Sequence, residues 1–168
     1  TRGACHIRGD VAYQEVFGYP IRIDPDTTEN KAEWVVKMQD LTAVIDSAGL
    51  CVFNAMRFLV DYNEKRLLSM LRLARVLDAA TGSGLSEEDL WRAGERIFQA
   101  ERVLVIRAGY GPADDTLPRR MLAEPMPEGP HKGNVCRLGE MLPRYYELRD
   151  WGDDGMPSPE RLKELGIY

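Results

Sequence analysis

Apolar positions recur along this chain at three- and four-residue intervals, and no run alternates apolar and polar residues long enough to argue for a sheet. Trp34, Met38, Leu41 and Ile45 form one stripe, which predicts a helix from Glu29 to about Asp46 with Thr27 or Thr28 as its N-cap. Gly49 then permits a break, and Cys51 follows just beyond it. Helix resumes over Phe53 to Val60, and a longer one spans about Glu64 to Ala80. Its Leu67, Leu71, Ala74 and Leu77 face the core, and Gly82 and Gly84 end it. Ser86 with Asp89 makes a capping-box pattern, flanked by Leu85 and Leu90 at the staple positions. That helix runs to about Arg107 with Leu90, Ile97, Phe98 and Leu104 inward, and Gly109 closes it.

Shorter elements complete the pattern. Val11 to Phe17 predicts a brief helix in an otherwise irregular start, and Leu117 to Ala123 another, stopped by Pro125. A helix from Gly139 to Arg149 tolerates Pro143 only near its first turn. Ser158-Pro159-Glu160 opens a last piece that Gly166 ends. The expectation is an all-α, irregular multi-helix fold, with residues 1–168 forming a single helical domain.

Composition narrows the function classes. The 168 residues carry a net charge of −5 with both signs interspersed, and no basic stripe with interleaved aromatics marks a nucleic-acid partner. The longest uncharged stretch in the apolar middle, Ser47 to Met56, is far short of the ~20 residues a spanning helix needs. Three widely separated cysteines, an odd number, argue for a reducing cytoplasm rather than a disulfide scaffold. The chain opens on Thr1 rather than Met, which reads as a piece of a longer polypeptide.

Cys51 carries the most chemical information. A thiol where a helix breaks at glycine can be presented to an anion or a cluster, although a free cysteine equally suits a small buried apolar position. His6, in a glycine-rich loop with Arg2 and Arg8, can shuttle protons or simply sit in water. Asp46 can accept hydrogen bonds from a donor-rich ligand or cap the helix end locally. Glu128 and His131 have the spacing of a helical metal pair, but Gly129 and Pro130 between them forbid that helix. Asp114-Asp115-Thr116-Leu117-Pro118 can bind a cation, or more simply cap the helix after it.

Several of these stretches, taken in order, resemble one family. Asp46-x-x-Gly49-Leu50-Cys51 is similar to the D-x-x-G-L-C motif of the tungsten-containing aldehyde:ferredoxin oxidoreductases. So are Arg2-Gly3-Ala4-Cys5-His6-Ile7-Arg8-Gly9, the Asp114–Pro118 stretch with Glu124-Pro125 and Gly129-Pro130-His131-Lys132-Gly133, and the run from Met141 to Trp151. The resemblance implies the C-terminal helical domain of a larger enzyme. Its cofactors would be a tungstopterin (a bis-molybdopterin tungsten centre) and a [4Fe–4S] cluster, both completed by N-terminal and middle domains outside this sequence. It implies Cys51 as the fourth cluster ligand, Asp46, Gly49 and Leu50 as pterin contacts, and Lys37 and Arg8 as further cofactor contacts. His6 would then approach the metal and assist proton movement. The implied reaction oxidises an aldehyde substrate to a carboxylic acid and passes electrons to ferredoxin. A chain with one cluster ligand is expected to bind neither tungstopterin nor iron stably alone, and to expose apolar surface.

Three alternatives remain at this point. The same scaffold serves an acyl or aromatic thioester reductase; the domain is a non-catalytic helical interaction module; or Cys51 and His6 make a thiol hydrolase, for which no oxyanion hole is identifiable.

Overall fold

The computed structural model describes residues 5–18, 21–55 and 69–168. Its helices are α1 (Ala12–Glu15), α2 (Lys31–Ser47), α3 (Val52–Ala55), α4 (Leu71–Thr81), α5 (Glu87–Arg107), α6 (Arg119–Ala123), α7 (Leu138–Arg149) and α8 (Pro159–Glu164), with a 3-10 turn at Pro112–Asp114. Among the described residues there is no strand, only an isolated bridge between Trp151 and Pro157. The all-α expectation holds. The expected helices over 53–60 and 64–80 fall partly on 56–68, outside the described residues; α3 and α4 are their described parts.

Helix α2 is the centre of the domain and packs against α5, α7 and α3, while α4 packs on α5. Its apolar stripe is buried as predicted: Met38, Leu41, Val44 and Ile45 join Ala55, Met70, Leu73, Ala74 and Leu90 in one core, with Trp34 and Leu77 against its edge. The α2–α5 contact is close because Gly94 faces it. A Cβ built there would stand 2.2 Å from the Asp40 carbonyl oxygen, so only glycine lets the two backbones approach this far.

The helix starts separate prediction from outcome. The capping box of α5 is present: Ser86 Oγ accepts from the Asp89 N–H at 3.1 Å, and the Asp89 carboxylate accepts from the Ser86 N–H at 2.9 Å. Helix α8 starts as expected, with Ser158 Oγ accepting from the Arg161 N–H at 3.1 Å and Pro159 at the first helical position. Helix α2 does not start on a threonine cap. Thr27 Oγ1 accepts from the Glu29 N–H at 3.1 Å, two residues early, and Asn30 in the left-handed region (φ 57°) turns the chain into the helix. Pro143 lies in the second turn of α7, beyond the expected limit; both it and Gly139, whose carbonyl it deprives of a partner, are exposed.

Leu104 was expected inward and is 65% exposed. Helix α5 instead buries Phe98, Gln99, Arg102 and Val103. The buried arginines of this layer have partners, although Arg149 Nε has none. Arg102 donates to both carboxylate oxygens of Asp115 at 2.8 and 2.6 Å and to the Gly155 carbonyl at 2.9 Å, and lies 4.2 Å over the Trp151 ring. Arg149 donates to Asp40 at 2.6 Å and stacks 4.2 Å over Phe98. Within the Asp114–Pro118 stretch, Asp115 is thus taken up by an ion pair with Arg102. The stretch does not cap α6, whose N-cap is Pro118 with no side-chain hydrogen bond. Asp114 instead accepts from the Gly111 N–H at 2.8 Å.

Candidate functional site

The end of α2 builds the first part of the site. Gly49 is left-handed (φ 69°), its N–H donates to the Asp46 carbonyl, and the Leu50 N–H reaches back to the Ile45 carbonyl, both at 3.1 Å. This paired closure satisfies the last carbonyls of α2 and turns the chain outward. Cys51 follows at once and starts α3, its carbonyl accepting from the Asn54 and Ala55 N–H groups at 3.0 and 2.9 Å. Its thiol is free and exposed on this domain. Leu50 and Phe53 beside it are exposed too, the latter at 59%, and a Cβ on Gly49 would meet nothing within 4 Å. One side of the turn is open and apolar.

The loop from Cys5 to Asp10 builds the second part. Thr42 Oγ1 donates to the Arg8 carbonyl at 2.9 Å and pins the loop to α2. Arg8 is buried and forks between two carboxylates, Glu101 of α5 and Asp46, the latter at 3.4 Å. Its Nε is buried with no partner. The Asp46 carboxylate thus turns to Arg8, while the local capping bond uses its backbone carbonyl. Ile7 and Asp10 share a crevice with Val52 and Phe53, which sets the His6 loop beside the Cys51 turn.

His6 is exposed and borders a cavity of about 260 Å³ with Cys5, Arg8, Gly9, Gln39, Val35 and Phe98. A larger cavity of about 790 Å³ shares Val35 and Gln39 with it and extends past Tyr145, Leu142 and Trp151 towards Arg102 and Asp115. Lys37 is not brought to this place. Nine residues from Asp46 on the same helix put it about half a turn round the axis, exposed and 5.9 Å from the Trp34 ring centre. His131 is elsewhere as well, its Nδ1 3.0 Å from the Asp26 carboxylate, which that hydrogen bond above all holds below the usual carboxylate range.

Gln39 and Tyr145 were missed in the sequence. The available signal was polar residues inside a buried helix stripe, where Gln39, Asp40 and Thr42 interrupt α2 next to fully buried apolar neighbours.

A family model described as "Aldehyde ferredoxin oxidoreductase, domains 2 & 3" matches residues 1–167. The chain belongs to the aldehyde ferredoxin oxidoreductase family. It is 48% identical over 170 residues to the tungsten-containing aldehyde ferredoxin oxidoreductase of Pyrococcus furiosus, covering 99% of this chain and 26% of that protein. The Pyrococcus horikoshii enzyme of the same name matches to the same extent. A more distant family relative is the WOR-like subunit of an aliphatic sulfonate oxidoreductase from Pyrococcus furiosus, 27% identical over 177 residues, with 98% of this chain and 26% of that one covered. The chain thus spans about a quarter of the length of these curated relatives. Among solved structures, the BamBC active-site complex of benzoyl coenzyme A reductase, bound to 1,5-dienoyl-CoA, superposes with a TM-score of 0.62 at 24% identity. That match covers 91% of this chain and 21% of that one and is a likeness of fold.

The residues present fit one part of a metal–pterin site. An exposed thiol on an open apolar turn suits a ligand offered to a group seated outside the domain. Among the described residues no three His, Cys, Asp or Glu side chains converge on a point that could hold a metal ion. A lone exposed thiol such as that of Cys51 can supply one coordination position.

Proposed function

We propose that this domain forms one wall of the active site of a tungsten-containing oxidoreductase that converts aldehydes to carboxylic acids and delivers electrons to ferredoxin. The observation that carries the reading is the free, exposed Cys51 thiol on the open turn after α2, beside the loop that holds His6. When bound, the tungstopterin and a [4Fe–4S] cluster supply the two-electron oxidation and the single-electron exits. This chain's residues do the rest locally. Cys51 as thiolate occupies one iron position, and its burial against neighbouring domains sets the polarity around the sulfur. Asp46 offers carboxylate oxygens to pterin N–H groups, with Arg8 fixing its orientation from the buried side. Gly49 and Leu50 give the pterin a backbone surface without an intervening side chain on the glycine. Lys37 is assigned to the cofactor by family resemblance alone. His6 takes up the proton released as the aldehyde is oxidised, through a ring nitrogen that can accept it.

Three widely separated cysteines support a reducing cytoplasm as the compartment, and N-terminal and middle domains of the same polypeptide would be the immediate partners. Cys51→Ala in the full-length protein is expected to remove the reduced-cluster electron paramagnetic resonance signal and cut bound iron sharply, while leaving α2 folded. An intact cluster signal in that variant would sink the assignment and leave a helical interaction module.

A further inference from the structure

The cavity beside His6 is bordered by hydrogen-bond donors without acceptors, and the orientation of one of them is fixed by the fold. Gln39 has an amide with an acceptor end and a donor end. Its Oε1 accepts from the Tyr145 hydroxyl at 2.7 Å and from Arg149 Nη2 at 3.0 Å. Arg149 fixes this sense, because it can only donate, and the Tyr145 hydroxyl donates to the same oxygen. A guanidinium has no acceptor, and burial pushes the Tyr145 phenol above its ordinary pKa and keeps its proton in place. The oxygen is committed to that side, so the nitrogen faces away from it.

On the other side lies Gly9. A Cβ built on Gly9 would be 3.6 Å from Gln39 Nε2 and 3.3 Å from Val35 Cγ1, and Gly9, Val35 and Gln39 all line the His6 cavity. Nε2 has no hydrogen-bond partner among the described residues. Arg8, in the same wall, has the buried Nε–H without a partner noted above. Two N–H donors left over in this wall suit an acceptor oxygen. The cavity volume of about 260 Å³ and the Val35 and Phe98 walls suit a small acyl group. The larger cavity across Val35 and Gln39 offers space for a longer tail.

We propose that Gln39 is a specificity-determining residue whose Nε2–H donates to the carbonyl oxygen of the aldehyde and then to the carboxylate of the product in the His6 cavity, its amide held in that sense by Tyr145 and Arg149. This rests on the aldehyde-oxidising reading and adds to it the residue that recognises the acyl oxygen.

The test uses the full-length, cofactor-loaded protein and labelled butyrate in equilibrium dialysis. Gln39→Glu keeps oxygens to accept from Tyr145 and Arg149 but deletes the donor and repels a carboxylate. Butyrate is expected to bind about tenfold or more weakly. Gln39→Met deletes the donor without adding charge and is expected to weaken binding several-fold, with KM for a short aldehyde rising and kcat little changed. Tyr145→Phe frees the amide to rotate and should weaken butyrate binding less than either. If Gln39→Met fails to fold, Gln39→Glu carries the test. No butyrate binding by the parent protein, or equal binding by parent and the Gln39 variants, overturns the proposal. Loss of the wider reading shows differently, as a parent protein that binds butyrate but oxidises no aldehyde.

Discussion

Gly94→Ala is expected to destabilise the packing of α2 on α5 by about 3 kcal/mol, at the upper end for an overpacked contact. The added Cβ would sit 2.2 Å from the Asp40 carbonyl oxygen, 2.8 Å from its carbon and 3.1 Å from its Cα. All three are backbone atoms of a helix, so no side chain can swing aside. The helices must separate, and the separation opens the Asp40–Arg149 pair and the Leu90–Leu41 core beside it. Hydrogen exchange in the full-length protein reads this directly. Amides of α2 and α5 should lose protection together, by roughly a hundredfold, while exposed segments such as α6 barely change. Unchanged protection would mean that the two backbones do not meet at Gly94.

The second large effect concerns Asp40. Its carboxylate is buried, and that burial outweighs the Arg149 guanidinium 2.6 Å away, so its pKa is pushed up from 3.8 to about 6. The folded protein therefore holds the Asp40 proton more tightly than the unfolded chain does. The sign follows by linkage. The contribution of this group to stability is greatest below about pH 4, falls as the pH rises through 6, and is level above that. A shift of about two pKa units corresponds to a fall of order 3 kcal/mol across the window. Asp40→Asn removes the slope, so the stability difference between parent and variant, followed by denaturant unfolding from pH 4 to 8, should decline and then flatten. A difference that grows with pH would show that Arg149 wins over burial. At neutral pH the variant also leaves the Arg149 cation without its carboxylate, a loss on the order of 3–5 kcal/mol if no water compensates.

These two positions also show where sequence reading stops. The helices of this domain announce themselves because their starts and ends use local chemistry: Ser86 with Asp89, Ser158 with Pro159, and Gly82, Gly109 and Gly166 in the left-handed region at the ends. The Cys51 turn was visible for the same reason, since Asp46, Gly49 and Leu50 close α2 within five residues. What periodicity hid is the inner face of α5 and α7. Arginine and glutamine count as surface residues in any hydropathy pattern, yet Arg102, Arg149 and Gln99 are among the most buried side chains here. They can be buried because each meets a carboxylate, a carbonyl or an aromatic ring that lies 13 to 109 residues away in sequence. The same long-range pairing moved Leu104 out to solvent and gave Asp115 a guanidinium partner in place of a helix to cap. Gln39 escaped notice likewise, since its orientation depends on Tyr145 and Arg149 of a helix a hundred residues on.

Helix α2 joins two duties in one rigid rod. Its middle turns are the keel of the domain, and its flanks carry Gln39 beside the cavity and Thr42 and Asp46, which hold the His6 loop and lead into the Cys51 turn. A rod transmits tilt along its length, so a methyl gained or lost at Leu41 or Ile45 would be felt as a displaced thiol and a displaced amide. Substitutions that never touch a reactant can therefore retune this site, and its chemistry cannot drift in evolution independently of the way the interior is packed.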